Sequence, residues 1–569
     1  MSFCSANVFA QFQDNIWLMG YYPVQFGSKY VLGCNKFDFN FEPPKVSKLF
    51  LNRYHLMESS TTTVSDESGE LLFYANGFQV FDKNDNVMKG DNFLNPGIVR
   101  DDYWNKGKPS FGFPMILGMM TIPIGKDPEK YMIIHQNISE DFVFPNKTYF
   151  SKVSFENNDL GEVLVSNVLI DSSQRQKFNS VVKHGDGINW WLIISNDGIL
   201  NYKKYMFRNG QVDIENEQSI GELPTIESSA QALFSPDGSK FFKHNNSDFS
   251  EIFDFNRCTG QLSNPRKIPL GTYSPGAGAA FSHDSRYLYL TSYQYVFQFD
   301  TEATDVFATM DTVGTCDFKI CGSLPYSYVL CQLGPDGRIY ISSGNTTDCM
   351  SMIEYPFKQG KACQVQNNAI SLAYLNDNTI PNNPNYRLGP MDGSPCDTLG
   401  MDNIPIARFR KSSGTDTIIF TDLSYGEPDE WFWEFGDGST SSGRFPEHIY
   451  TASGIYNVCL TVTNKKGSNS TCQDVKTAVY EQMEDKSNTL SIYPNPATDQ
   501  ISLASNTLSW KAFPAIMNIY DMLGRLVLSK PIQYVTDVVD ISELTTGVYM
   551  WKLDKNSRRY GQGKMVVER

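Results

Sequence analysis

The run Ala232-Leu-Phe-Ser-Pro-Asp-Gly-Ser-Lys-Phe-Phe242 decides how this chain folds. It opens on apolar residues, breaks at Ser-Pro-Asp-Gly and resumes with paired aromatics. Pro presets φ, Asp bonds to nearby backbone N–H groups, and Gly tolerates positive φ, so the break is a tight turn. Its flanks then read as antiparallel strands. The pattern recurs in Ala280-Phe-Ser-His-Asp-Ser-Arg-Tyr-Leu-Tyr-Leu290, in Gln332-Leu-Gly-Pro-Asp-Gly-Arg-Ile-Tyr-Ile341 and in His184-Gly-Asp-Gly-Ile-Asn-Trp-Trp-Leu-Ile193. The turn residues Gly187, Gly238, Ser285 and Gly337 are 51, 47 and 52 residues apart. Asp127-Pro-Glu-Lys-Tyr-Met-Ile-Ile134 and Asp66-Glu-Ser-Gly-Glu-Leu-Leu-Phe-Tyr74 extend the series at longer spacing.

One such sheet cannot bury its own faces. Repeated radially every ~40–50 residues, it makes a β-propeller. Six turns are visible, and Asn15 to Phe41 either supplies a seventh blade or closes the ring with the segment after Ala369. The expected fold is all-β, with a propeller of six to eight blades, seven favoured, over residues 11–390. An aromatic content of 13% supports strands over helices. These turns resemble those of WD40-like propellers. The whole region is similar to propeller domains in large surface proteins of Bacteroidota, including its closing Pro381-Asn-Asn-Pro-Asn-Tyr-Arg-Leu-Gly-Pro390 and Gly393-Ser-Pro-Cys396. That resemblance implies architecture and no particular activity.

Residues 391–405 read as a connector. Beyond them, Trp433-Glu-Phe-Gly-Asp-Gly438, Pro446-Glu-His-Ile-Tyr450 and Gly454-Ile-Tyr-Asn-Val-Cys-Leu-Thr-Val462 follow one another. Trp431, Trp433 and Phe435 alternate onto one face, and Gly436-Asp-Gly makes a hairpin turn. The set resembles the PKD domain, an immunoglobulin-like sandwich, over 406–480. Its pattern falls on Trp433, Phe435, Gly436, Asp437, Gly438, His448, Tyr450, Gly454 and Tyr456. A polar linker at 481–487 leads to Leu490-Ser-Ile-Tyr-Pro-Asn-Pro-Ala497, Ile519-Tyr-Asp-Met-Leu-Gly-Arg525, Leu544-Thr-Thr-Gly-Val-Tyr549 and Gly563-Lys-Met-Val-Val567. In this order they resemble the type A sorting domain of the type IX secretion system over 488–569, a second small immunoglobulin-like sandwich. The matching positions are Pro494, Asn495, Pro496, Gly524, Arg525, Gly547, Tyr549 and Lys564. The resemblance implies the type IX machinery as a partner, and delivery through the periplasm to the cell surface or beyond.

The N-terminus agrees with export. Val8-Phe9-Ala10 before Gln11 places small residues where a signal peptidase reads, so residues 1–10 read as the remnant of a signal peptide. The longest apolar run, Phe113 to Ile124, is broken by Pro114, Gly118 and Pro123, so no segment is expected to span a bilayer. A net charge of −15 with no basic stripe argues against a nucleic-acid partner. Eleven cysteines without a CxxC pair point away from zinc and toward disulfides. Cys459 lies five residues before Asn464 and Cys472 five after Gly467, so a hairpin closed at that turn sets the two opposite each other, within bonding range. Cys349 and Cys363 are expected to pair in the same way.

Motifs of catalysis are missing. Six histidines include no HExxH, and no GxSxG elbow or Walker loop occurs. His184, His283 and His448 sit in structural turn contexts, and Asp237, Asp336 and Asp437 are turn formers. No catalytic or cofactor-binding residue is expected. Asp82-Lys-Asn-Asp-Asn86 is loosely like a calcium loop but reads better as a hairpin turn. Of Trp190-Trp191, one is expected in the core, since neighbours in a strand face opposite ways. The favoured function is an exported binding or adhesion protein with a surface polysaccharide or protein ligand. The alternatives are a secreted hydrolase with its site in the propeller funnel, and a structural surface-layer component.

Overall fold

The computed structural model describes residues 12–20, 24–26, 29–31, 33–50, 60–105, 113–140, 145–173, 176, 179–196, 200–223, 231–245, 248–270, 278–322, 324–412, 417–477, 491–504, 514–522, 524–534, 537–555 and 558–569. The expected signal remnant and the linker at 481–487 lie outside them.

Seven antiparallel sheets follow one another along the first two-thirds of the described chain. Blade 1 is Ile16–Met19, Gly33–Asp38 and Lys45–Phe50; blade 2 is Thr62–Ser65, Leu71–Ala75 and Val80–Asp82. Blade 3 runs from Met119–Ile124 to Glu162–Asp171, blade 4 from Ser180–Lys183 to Gln211–Gln218, and blade 5 from Ala232–Phe234 to Gln261–Pro269. Blade 6 runs from Ala279–Phe281 to Asp311–Thr315, and blade 7 from Tyr328–Leu333 to Val365–Asn376. Blades 3 to 7 have four strands each. A cluster of buried apolar residues lies between each successive pair. The cluster containing Trp17, Phe37, Leu330, Tyr340, Met350 and Leu372 joins blade 7 back to blade 1, so the blades form a ring.

The recurrent turns join the first and second strands of blades 2 to 7, which places them all at one end of the ring. At the turn of blade 5, the Asp237 carboxylate accepts from Ser239 N at 3.0 Å, and Gly238 takes φ +70°. Ser285 occupies the equivalent left-handed position in blade 6 at φ +65°, where a side chain is tolerated at some strain.

Trp190 and Trp191 correct an expectation. Both are buried, at 1% and 3% exposure. Trp190 packs into the cluster between blades 3 and 4, and Trp191 into that between blades 4 and 5. A blade has a neighbour on each side, so both faces of its strands are core.

The PKD region pairs Phe409–Lys411 with Thr417–Asp422, and Thr417–Asp422 with Glu447–Ile449. Its second sheet orders Thr440–Ser441, Glu430–Glu434, Gly454–Asn464 and Gly467–Thr477. Trp433 sits fully buried between them, against Phe409 and Phe420 at 5.1 and 5.4 Å. The sorting region belongs to a second compact unit. It has a three-stranded sheet, with Gln500–Ala504 between Ser491–Tyr493 and Val538–Asp540, and a four-stranded sheet ending in Gly547–Lys555 and Arg558–Val567. Its own core holds Ile501, Ile519, Trp551, Leu553 and Met565.

Cys459 is bonded to Cys472, with Cα atoms 4.1 Å apart. This loop is already closed by a hairpin, so Cys459→Ser with Cys472→Ser should cost about 2–3 kcal/mol, read in a urea titration of the full chain. No change in midpoint would show that the hairpin alone fixes the strand pair. Cys349 is bonded to Cys321 and not to Cys363, which is a buried thiol. In the register of blade 7, Ile353 faces Val365, and Cys349 faces Ser371. Tyr355 N donates to Cys363 O, so Cys363 lies six residues beyond Cys349 along the strand, about 20 Å away. The hairpin Ile320–Cys321 and Leu324–Pro325, just before blade 7, brings the true partner. A third bond, Cys258–Cys396, ties blade 5 to the connector at 391–405.

Candidate functional site at the propeller axis

The hydrolase alternative expects its site in the funnel on the propeller axis. A segment of the chain itself runs along that axis and reaches the end that carries the blade turns. Asn382 Nδ2 donates to Leu117 O at 3.1 Å, ahead of blade 3, and Tyr386 Oη donates to Thr121 O in blade 3 at 2.7 Å. Tyr386 O accepts from Lys183 Nζ in blade 4 at 2.6 Å, and Asn385 Nδ2 donates to Pro236 O in blade 5 at 2.6 Å. Gln332 of blade 7 donates to Asn383 O at 3.3 Å. Arg387 Nη1 meets Asp14, just before blade 1, at 2.8 Å. One short segment that touches blades 1, 3, 4, 5 and 7 can lie only on the axis. It belongs to the Pro381–Pro390 run, which contributes the side chains of Asn382, Asn385, Tyr386 and Arg387 and the backbone carbonyls of Asn383 and Tyr386 to these bonds.

The PKD domain seals the same end. Leu423, Tyr425 and Arg444 line a cavity there together with Pro236, His283 and Pro335 of the blade turns. A buried ionic network fastens it. Arg338 of blade 7 bonds Asp336 at 2.7 Å, both Glu354 oxygens at 2.9 Å and Glu42 at 2.9 Å. Arg410 of the PKD domain meets the same Glu354 carboxylate and donates to Asp336 O at 3.0 Å and Glu354 O at 2.8 Å. The Arg410 side chain is 1% exposed. Burial opposes the charge on Asp336, but Arg338 and Arg410 hold its carboxyl below the usual range. Asp336, read from sequence as a turn former, is both that and the anchor of an ion network.

His283 lies in this seam with its ring edge-on to Phe357 of blade 7 and Phe445 of the PKD domain, at 5.6 and 5.3 Å. Neither ring nitrogen has a partner among the described residues. Burial pushes its pKa down to about 4, with Asp284 and Asp422 opposing and Arg444 and Arg410 adding to the shift. The unfolded chain takes up this proton near ~6.5. Between those values the unfolded state binds more protons, so stability falls as pH falls. Acidifying from pH 7.5 to 5 should remove about 2 kcal/mol through His283. Urea midpoints at the two pH values should differ less in His283→Leu than in the wild type. An equal difference in both would move the effect to another group, such as His135.

At the opposite end of the axis, uncharged polar side chains link the blades. Gln231 accepts from Ala279 N at 3.0 Å and donates to Cys331 O at 3.3 Å, and Thr62 meets Thr121 at 2.8 Å. Two histidines there face serines. His135 is 2.8 Å from Asn95 and 3.1 Å from Ser151, and His244 is 2.8 Å from Ser250. Burial pushes His135 down to about 3, far below the range of a general base at neutral pH. Ser250 is also held by Asn245 N at 3.0 Å. These contacts are those of a packed interior.

The other sequence-singled residues hold turns and strand ends. Asp82 accepts from Asn84 N and Asn86 N at 2.8 and 2.9 Å, a hairpin turn closed by its own carboxylate. No group of three His, Cys, Asp or Glu among the described residues could hold a metal ion. His184 bonds Cys258 O and lies 3.0 Å from Asp186. In the PKD domain, Trp433 donates to Gly443 O at 2.9 Å. His448 stacks on Phe435 at 4.1 Å and meets Asp437 at 2.8 Å. Gly436 takes φ +80°, and a Cβ there would come within 2.8 Å of Asn457 O; Gly438 is also left-handed. Tyr450 is buried, while Gly454 and Tyr456 lie in the long hairpin strand, half-exposed. In the sorting region, Asn495, between Pro494 and Pro496, bridges to the last strand. It accepts from Val566 N at 2.8 Å and donates to Lys564 O at 3.1 Å. Arg525 reaches Asp521 at 2.7 Å across the Gly524 turn, and Tyr549, after Gly547, donates to Thr545 O at 2.9 Å.

Residues 409–479 match the family described as PKD domain, and residues 491–568 match the secretion system C-terminal sorting domain. The chain carries both domains. Over 72 residues it is 38% identical to the pre-pro-metalloprotease PrtV of Vibrio cholerae serotype O1, covering 12% of this chain and 8% of that protein. The chain thus spans only 8% of the length of the curated relatives it matches. The crystal structure of the PKD1 domain from Vibrio cholerae PrtV is 33% identical over 13% of this chain and 96% of its own, with a TM-score of 0.13. The β-propeller domain of Cps50 (Swd1) from Myceliophteria thermophila is 11% identical over 58% of this chain and 90% of its own, with a TM-score of 0.35. The type IX sorting domain marks the protein for export to the cell surface or the extracellular space. Among the described residues, no helix is long and apolar enough to cross a membrane.

Proposed function

We propose that this exported propeller–PKD protein is a binding protein, delivered by the type IX machinery, that takes a surface polysaccharide or protein on the end of the propeller facing away from the PKD domain. The observation that carries this is the filling of the other end. Asn385 and Arg387 hold the axial segment against Pro236 and Asp14 there, and the Arg410 network fixes the PKD domain over the blade turns. A funnel closed at one end by its own chain presents only the other to a ligand. The buried acids Asp336 and Glu354 are paired with arginines, and burial holds His135 uncharged at neutral pH, so these three groups do not supply an acid pair or a base.

The test incubates the purified full chain with immobilised polysaccharides and surface proteins and records retention and product release in the same tubes. Retention without new sugar ends or peptides is expected. Release of products would make the protein a hydrolase and overturn this reading.

A further inference from the structure

A second cavity, of about 490 Å³, lies off the axis, between the turns of blades 3 and 4 and the connector that follows the axial segment. Its walls include Pro123, Ile188, Leu388, Met401 and Ile404, which are apolar, and Lys183 lines it. Lys183 is 8% exposed. Among the described residues its ammonium makes one hydrogen bond, to Tyr386 O at 2.6 Å, and it stands 5.6 Å from the Trp190 ring. An ammonium carries three donors, so this one is under-coordinated. A buried cation normally has a carboxylate partner. Among the described residues, none lies within ion-pair distance of Lys183.

The surroundings repel the charge further. Arg257, 3% exposed, bonds only carbonyls: Lys183 O at 2.9 Å, His184 O at 3.2 Å and Gly389 O. Arg387 is matched by Asp14. Asp186, whose charge opposes the repulsion, is taken up by His184, Asn189 and the backbone N–H groups of Ile188 and Asn189. Among the described residues the buried cations Lys183 and Arg257 have no carboxylate within ion-pair distance, although Glu67, Asp127 and Asp402 line the cavity.

We infer that this cavity is a binding site for a small organic carboxylate, with the carboxylate on the Lys183 ammonium and an apolar body against Pro123, Ile188, Leu388 and Met401. The anion would supply the missing acceptors and the missing counter-charge, and the walls would bury its hydrocarbon. This site is separate from the propeller end proposed for the surface ligand. Burial, with Arg257 and Arg387 adding to it and Asp186 opposing, pushes the Lys183 pKa down to about 7. A bound anion reverses that shift, so at pH 8 binding takes up a proton. Glu67, Lys126, Asp127, Arg387 and Asp402 also line the cavity and belong to the same electrostatic balance, Asp127 being paired with Lys130 and Asp402 with Lys466.

Titration calorimetry of the full chain with hexanoate and with hexanol tests the inference. Hexanoate should bind at one site, about tenfold or more tighter than hexanol, since only it brings a counter-charge to the ammonium, with donor and acceptor both ionised. At pH 8 its apparent heat should vary with the ionisation heat of the buffer, reporting proton uptake. Lys183→Met should bring hexanoate down to the level of hexanol. Equal binding of the two probes by the wild type, or no binding of hexanoate, overturns the proposal without reference to any variant. So does tight hexanoate binding that survives in Lys183→Met.

Discussion

Arg410→Ala is expected to destabilise the propeller–PKD unit by about 3–5 kcal/mol, the usual cost of removing one partner from a buried ion pair. The loss is large because Arg410 serves three acceptors at once: the Glu354 carboxylate, Glu354 O and Asp336 O. Without it, Glu354 keeps Arg338 alone, and two buried carbonyls lose a donor. Arg410→Lys should recover only part of the loss, because a single ammonium cannot match the planar fork of a guanidinium. Urea unfolding of the full chain measures the effect. A shift worth less than about 1 kcal/mol would show that the network is no stronger than an exposed pair.

Tyr386→Ala is the second large effect, a loss of about 3–5 kcal/mol, comparable to emptying other buried aromatic sites. Tyr386 is 2% exposed, lies 6.2 Å from the Trp190 ring and spends its hydroxyl on Thr121 O. It is the wedge of the axial segment, and removing it leaves a void where blades 3 and 4 meet the axis. Tyr386→Phe should cost only about 1 kcal/mol, the net worth of one hydrogen bond. Unfolding midpoints of the two variants separate ring from hydroxyl. If Tyr386→Ala costs no more than Tyr386→Phe, the axial segment is not needed to hold the ring together.

Much of the fold was legible because its signals are local. Asp-Gly between apolar runs makes a tight turn, so Gly187, Gly238 and Gly337 could be read as blade turns before any contact between blades was known. The cysteines at 459 and 472 were legible for a related reason: a hairpin turn of known length fixes which residues face each other. Trp190-Trp191 misled because alternation assumes one buried face, and a blade has two. Cys349 misled because its partner comes from a short hairpin outside the blade, not from the adjacent strand. The axial segment had a weaker signal, a run rich in Pro and Asn at 381–390 with no strand pattern. Its meaning depends on Asp14, Thr121, Lys183 and Pro236, none of them near in sequence.

By itself the sequence determined the all-β class, the repeated blades, the PKD and sorting domains and the export of the protein. Each of these rests on turn chemistry, alternation or motif order within a few tens of residues. Tertiary structure alone decided that the funnel is plugged at one end, that Arg410 and Arg338 share Glu354, that Cys321 takes Cys349, and that Lys183 is left beside a cavity without a counter-ion. Burial and pairing of charge are properties of the assembled ring, where residues such as Asp14 and Arg387, 373 positions apart, meet only after the last blade has closed against the first.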